Sequence, residues 1–195
     1  MMISVYLTNL GKYNEGDLVG EWLQLPCKNS EIQACLDRIG INDEYEEYFI
    51  TDYEINFDYK LGEYENIYML NTLAKITDSF DSDKIAELNL GIDVFCSMHP
   101  DVVEVMNVAL QLDDVGFIHL SGYGDMYTKM GIEFAYIDGL LKTLEELGVD
   151  QYFDFNAYGE NIAEYYSLGD DVILHTNEEI CVDKFTYKEI KEMVK

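Results

Sequence analysis

Residues 42–54 read NDEYEEYFITDYE, six carboxylates in thirteen positions without one lysine or arginine. The tract is wider than the quotation: between Arg38 and Lys60 the chain carries seven acids and no base. Yet Tyr45, Tyr48, Phe49, Ile50 and Tyr53 lie inside it, side chains suited to a pleated and half-buried surface. The spacing predicts a strand over about residues 46–55, so a tract of like charges sits on an ordered segment.

Upstream, ISVYLT (3–8) alternates Ile3, Val5 and Leu7 onto one face and predicts a strand. NLGKYNEGD (9–17) is rich in glycine and asparagine and reads as a connection. VGEWLQL (19–25) is a second strand, stopped by Pro26. In SEIQACLDRIG (30–40), Ser30 followed by Gln33 has the pattern of a capping box. Ile32, Cys35, Leu36 and Ile39 fall on one helical stripe, with Gly40 as the stop. Residues 1–60 therefore form a small α+β domain.

Downstream the period changes. Ile67, Leu70, Leu73 and Ala74 recur at helical spacing, as do Ile85, Leu88, Ile92 and Phe95, then Val102, Val105, Met106 and Ala109. Three short helices make a helical middle domain over 61–112. From 113 to 195 the pattern is α+β again. VGFIHL (115–120) reads as a strand, and 124–147 as a helix with possible breaks at Gly131 or Gly139. Residues 151–166 are helical or turn-rich, and DDVILHT with EEICVDKF forms a hairpin across Asn177. The expected fold is α+β and elongated: three small abutting units with an acidic surface.

Charge excludes more than it suggests. The chain of 195 residues has 39 acids, 12 bases and a net charge of −27. Arg38 is its single arginine, whereas phosphate and nucleic-acid recognition leans on the guanidinium fork and on cations that displace counterions. Nucleic acid and anionic membranes are repelled, and basic partners attracted. Hydrophobic content of 48% and 13% aromatics set it apart from a disordered acidic tail.

No basic region followed by an apolar run opens the sequence, and no window approaches a membrane span. A soluble cytoplasmic protein is expected, with Cys27, Cys35, Cys96 and Cys181 as reduced, mostly buried thiols.

Catalytic and metal motifs are missing. There is no G-x-S-x-G, H-E-x-x-H or Walker loop, and GYGDMY (122–127) lacks the third glycine of a dinucleotide loop. DFNAYG (154–159) starts like a calcium loop, but Tyr158 and Tyr165 stand where oxygen ligands belong. His119 and His175 lie in apolar strand patterns and read as core histidines. No catalytic residue, cofactor or metal is expected. What remains is the distribution of acids: eleven and no base from Thr143 to Asp183, seven and no base from Ile85 to Thr128.

Two stretches, VYLTNLGKYNEGDLVGEW (5–22) and INDEYEEYFITDYE (41–54), resemble the antirestriction protein ArdA family. The likeness continues in FIHLSGYGDMY (117–127), YFDFNAYGENI (152–162) and GDDVILHTNEEI (169–180), and covers most of the chain. It implies a non-catalytic DNA mimic: a curved, three-domain homodimer that occupies the DNA-binding groove of type I restriction–modification enzymes. The alternative from the residues alone is an acidic inhibitor or chaperone of another basic DNA-binding protein or nuclease.

On this reading the phosphate-mimicking carboxylates are Glu15, Asp17, Glu21, Asp43, Glu44, Glu46, Glu47, Asp52, Glu54, Asp113, Asp114, Asp125, Glu145, Glu146, Asp154, Glu160, Asp170 and Asp171. Acids on one face of a strand recur about every 6.6–6.8 Å, and acids three or four apart on a helix lie about 5–6 Å apart. Duplex DNA offers one charge per roughly 1.7 Å of axis over both strands. A folded scaffold can therefore hold carboxylates at phosphate-like intervals.

Overall fold

Strict alternation makes the first strand the centre of a sheet. In the computed structural model, which describes residues 3–176 and 181–194, β1 (Ile3–Asn9) buries Ile3, Val5 and Leu7 completely. It pairs antiparallel with β2 (Gly20–Leu25) on one side and β3 (Tyr48–Ile55) on the other. Leu23 and Leu25 stand opposite Val5 and Ile3, so the apolar set stays on one face. The β3 register shifts between Tyr6 and Leu7, which face Asp52 and Ile50. Thr51 is thereby an extra residue, a bulge that brings its hydroxyl 2.8 Å from that of Thr8.

Residues 9–17 correct the expected connection. They hold a short helix, α1 (Leu10–Glu15), because the Asn9 side chain accepts the Lys12 N–H at 2.9 Å and Gly16 ends the turn at φ 93°. The next helix, α2 (Asn29–Arg38), also departs from its predicted cap. The Lys28 backbone N–H donates to the Glu31 carboxylate at 2.8 Å, so Ser30 and Gln33 do not form the box. Ile32, Cys35 and Leu36 are its buried side chains, as the stripe requires.

The three middle helices lie where the period puts them: α3 (Ile67–Thr77), α4 (Ser82–Phe95) and α5 (Val102–Leu110). Asn66, Asp81 and Asp101 cap them through side-chain oxygens. The chain divides into two compact units, residues 1–111 with 182–195 and residues 112–181. The middle helices thus share a unit with the first sheet, and the C-terminal tail returns to that unit.

Backbone pairing fixes the tail. Asn107 on α5 donates to the Phe185 carbonyl at 3.0 Å and accepts the Phe185 N–H at 2.7 Å. One turn later Gln111 does the same with Asp183, at 2.9 and 2.8 Å. Each carboxamide takes the place of a neighbouring strand's peptide group. The tail then forms α10 (Tyr187–Met193), capped by Thr186 and Glu189. Residues 181–186 carry no strand, so the expected hairpin partner of DDVILHT is not there; Asn177 to Ile180 lie outside the described residues.

Residues 112–181 are built on less core. After α6 (Leu112–Val115), the sheet order is β4 (Ile118–His119), β6 (Val172–His175), β5 (Tyr166–Leu168), all antiparallel. Leu120, Met130 and Ile173 are its buried cluster, ringed by partly buried side chains that include Ile118, Phe134 and Ile162. The predicted long helix breaks at Gly139, φ 73°, into α7 (Met126–Ile137) and α8 (Leu140–Leu147).

Gly131 is not a break but a contact. A Cβ there would overlap the Phe155 carbonyl, and one at Gly159 would overlap that of Tyr127, so α7 and α9 (Phe155–Ala163) meet backbone to backbone. His119 and His175 are exposed rather than in the core; the His175 ring lies edge-on to Tyr166 at 5.0 Å. Of the cysteines only Cys35 is buried, and Cys181 is exposed.

Two outcomes test this packing. Gly131→Ala forces α7 off α9 and costs about 3 kcal/mol of stability in chemical denaturation, the overpacking penalty with backbone as the obstacle. Asn107→Leu leaves the Phe185 N–H and carbonyl without partners and costs about 2–4 kcal/mol. Amide exchange at Phe185 accelerates in that variant while exchange in β1 does so only by global unfolding.

Candidate functional site

The acidic stretch over residues 42–54 is held in place by three devices. Asn42 makes the first: its side-chain oxygen accepts the N–H groups of Glu44 and Tyr45 at 2.8 and 3.1 Å, and its amide donates to the Gly40 carbonyl at 3.1 Å. The Asn42 N–H closes the loop on the Tyr45 carbonyl at 2.9 Å. Asp43, Glu44, Glu46 and Glu47 are all exposed on this loop.

Tyr45 is the second device. Its hydroxyl accepts from Lys12 Nζ at 2.7 Å and donates to Glu15 Oε1 at 2.9 Å, while Lys12 also bonds Glu15 Oε2 at 3.0 Å. Its ring occupies the space a side chain at Gly11 would need. The loop is thereby tied to α1. The hydrogen bonds from Lys12 and then Tyr45 hold the Glu15 carboxyl below its ordinary pKa, and Lys12 is raised by the same contacts.

The third device is burial. Phe49 and Ile50 are 7% and 3% exposed, and the Tyr48 hydroxyl accepts the Ile67 N–H at 3.0 Å, joining β3 to the start of α3. Burying Phe49 and Ile50 is worth about 1.5–3 kcal/mol each. Two carboxylates about 6.7 Å apart on one strand face repel by only about 0.6 kcal/mol in water. The anchors outweigh the repulsion.

All the predicted carboxylates except Glu21 are exposed. Glu15 ends α1 and Asp17 follows it; Asp52 and Glu54 stand on β3. Asp113 and Asp114 lie in α6, Glu145 and Glu146 on α8, Glu160 on α9, and Asp170 and Asp171 between β5 and β6. Asp125 and Asp154 cap α7 and α9. The Thr128 backbone N–H and hydroxyl, with Asn156, keep the Asp125 carboxyl below its usual range.

Several of them face bases. Glu21 is held by both arms of the Arg38 guanidinium at 2.9 and 2.7 Å, which lowers its pKa and removes it from the set offering an unpaired charge. Lys129 reaches Asp171 at 2.6 Å, and Lys142 lies 3.9 Å from Glu146. By contrast, no lysine or arginine pairs with Asp43, Glu44, Glu46, Glu47, Asp52 or Glu54 among the described residues.

Asp154 caps a helix instead of opening a calcium loop, accepting the Ala157 N–H at 3.0 Å. Among the described residues no three His, Cys, Asp or Glu side chains converge on a point that could hold a metal ion. The sequence reading missed Asn42, Lys12 and Gly11, although an asparagine heading an N-D-E-Y turn is a legible signal.

The fold and this site define a mixed α+β protein that offers anchored, exposed carboxylates. The profile of the antirestriction protein (ArdA) family matches residues 5–173, and the chain belongs to that family. Membership implies an antirestriction function and interaction with restriction enzymes. No curated protein matches the chain. Among the described residues no helix is long and apolar enough to cross a membrane.

The Lys12–Tyr45–Glu15 contacts make a titration prediction. Because the Glu15 pKa is depressed in the folded state, its stabilising contribution is present above the unfolded value and fades as pH falls through the folded one. Tyr45→Phe removes one of its two hydrogen-bond partners. Carboxyl NMR titration should show Glu15 moving up towards the ordinary glutamate value, with amide exchange at positions 44 and 45 accelerating.

Proposed function

We propose that the protein is a non-catalytic mimic of duplex DNA that occupies the DNA-binding groove of type I restriction–modification enzymes and excludes DNA competitively. It acts as a cytoplasmic homodimer without a cofactor. The observation that carries this reading is the tract from Asp43 to Glu54: six exposed carboxylates, no base between Arg38 and Lys60, and a frame that fixes them. A preorganised charge array loses little entropy on binding. It also needs no knowledge of the enzyme's target sequence, because phosphate contacts position a duplex while base contacts specify it.

The cationic groove steers the mimic in, so association is fast and weakens with salt. Acids from all three sequence segments, 1–60, 61–112 and 113–195, contribute to the summed field.

Purified protein added to a type I enzyme should abolish DNA binding and methylation at stoichiometric excess. Undiminished DNA binding would refute the reading. With about 0.5 kcal/mol per exposed charge, Asp43→Asn alone weakens inhibition only about twofold. Converting Asp43, Glu44, Glu46 and Glu47 together to amides weakens it about thirtyfold. Retention by basic nucleases or nucleoid proteins, with no effect on type I enzymes, would favour a general acidic inhibitor instead.

A further inference from the structure

The sheet of the first unit has a second face, opposite Ile3, Val5 and Leu7, and it carries aromatic rings. Tyr6 stands directly across from Trp22 on β2 and Asp52 on β3, so the three side chains form one row on one face. The next row on that face is Gln24, Ser4 and Glu54. Strand spacing makes each row about 10 Å wide. Trp22 and Tyr6 meet edge to face with centroids 5.5 Å apart.

Gly20 sets the pose of Tyr6. A Cβ at that position would lie 2.6 Å from Tyr6 Cε1, so the ring lies across the glycine. Trp22 is 43% exposed, and its indole N–H has no acceptor among the described residues. An exposed tryptophan on an ordered sheet face is a surface that gains from being covered.

Charge selects the cover. No lysine or arginine occurs on β1, β2 or β3, and Arg38, which reaches β2, is held by Glu21. Asp52 and Glu54 are exposed on the same face as the rings. We infer that this face seats an arginine side chain of the basic partner, the guanidinium stacking on the Trp22 ring, which stands edge to face with Tyr6, while Asp52 and Glu54 accept its N–H groups. A planar guanidinium suits both contacts, whereas an ammonium supplies only a point charge. The inference deepens the DNA-mimic reading, since it gives the otherwise diffuse charge array one discrete anchor for the enzyme's groove.

Trp22 is the only tryptophan of the chain, so intrinsic fluorescence reports on this site. Titration with a hexa-arginine peptide should produce a saturable change in Trp22 emission. The Asp52→Asn/Glu54→Gln double variant should need about tenfold more peptide, two charges at 0.5–1 kcal/mol each. Asp78→Asn/Asp83→Asn, off the sheet, should leave the response as it is. A Trp22 signal that does not saturate, or one equally weakened by both double variants, overturns the proposal.

The enzyme assay separates it from the broader reading. Trp22→Leu should inhibit about fivefold less well than the parent, the scale of a partly desolvated cation–π contact, with Trp22→Phe intermediate. Full inhibition by Trp22→Leu sinks the arginine seat and leaves DNA mimicry standing. A saturable peptide response from a protein that fails to inhibit sinks the mimicry and leaves the seat.

Discussion

Like charges held close together on a folded chain are stable only if something other than charge fixes the backbone beneath them. Here that constraint is met by apolar burial under β3 and by side-chain hydrogen bonds in the loop before it. Phe49, under Tyr13 and Tyr64, and Ile50, beside Leu7, are both buried, while Asp52 and Glu54, a bulge away, are exposed. The Thr51 bulge matters because Ile50 and Asp52, two apart, would otherwise share a face; the extra residue puts Ile50 beside Leu7 on the buried face and Asp52 and Glu54 beside Tyr6 and Ser4 on the other. Repulsion of about 0.6 kcal/mol per pair is then small beside the burial that anchors the segment.

Several of the few bases have local acidic partners. Arg38 grips Glu21 between α2 and β2, Lys12 joins Glu15 and Tyr45, Lys84 meets Glu87, and Lys129 meets Asp171. Each of these pairs connects neighbouring turns or elements. The longest ordered run of exposed acids without a base partner in the first unit is the loop and strand over residues 42–54, where six carboxylates fall in thirteen residues. A partner's cations therefore meet carboxylates that no lysine or arginine of the described residues already holds.

Most of the first sheet and the three middle helices was legible because one period dominates each stretch, as with Ile3, Val5 and Leu7 or Ile67, Leu70 and Leu73. What was hidden depended on contacts between distant residues. Nothing local announces that Asn107 and Gln111 will pair with the backbone of Phe185 and Asp183, so the tail was assigned to a hairpin. Gly131 looked like a helix breaker because a glycine's packing role is visible only when Phe155 is seen against it. His119 and His175 sit in apolar runs, yet each is the last residue of a short strand, β4 or β6, and is exposed there. The acidic residues were easy to name, and their exposure followed from charge alone; that Glu21 is sequestered by Arg38 did not.

The central claim is that the carboxylates are in place before a partner arrives. Backbone ¹⁵N relaxation of the free protein measures this residue by residue. The account predicts order parameters near 0.85 for residues 42–54, the value of rigid backbone, matching those of β1. Values below about 0.6 across Asp43 to Glu47 would mean a flexible acidic loop and would contradict it.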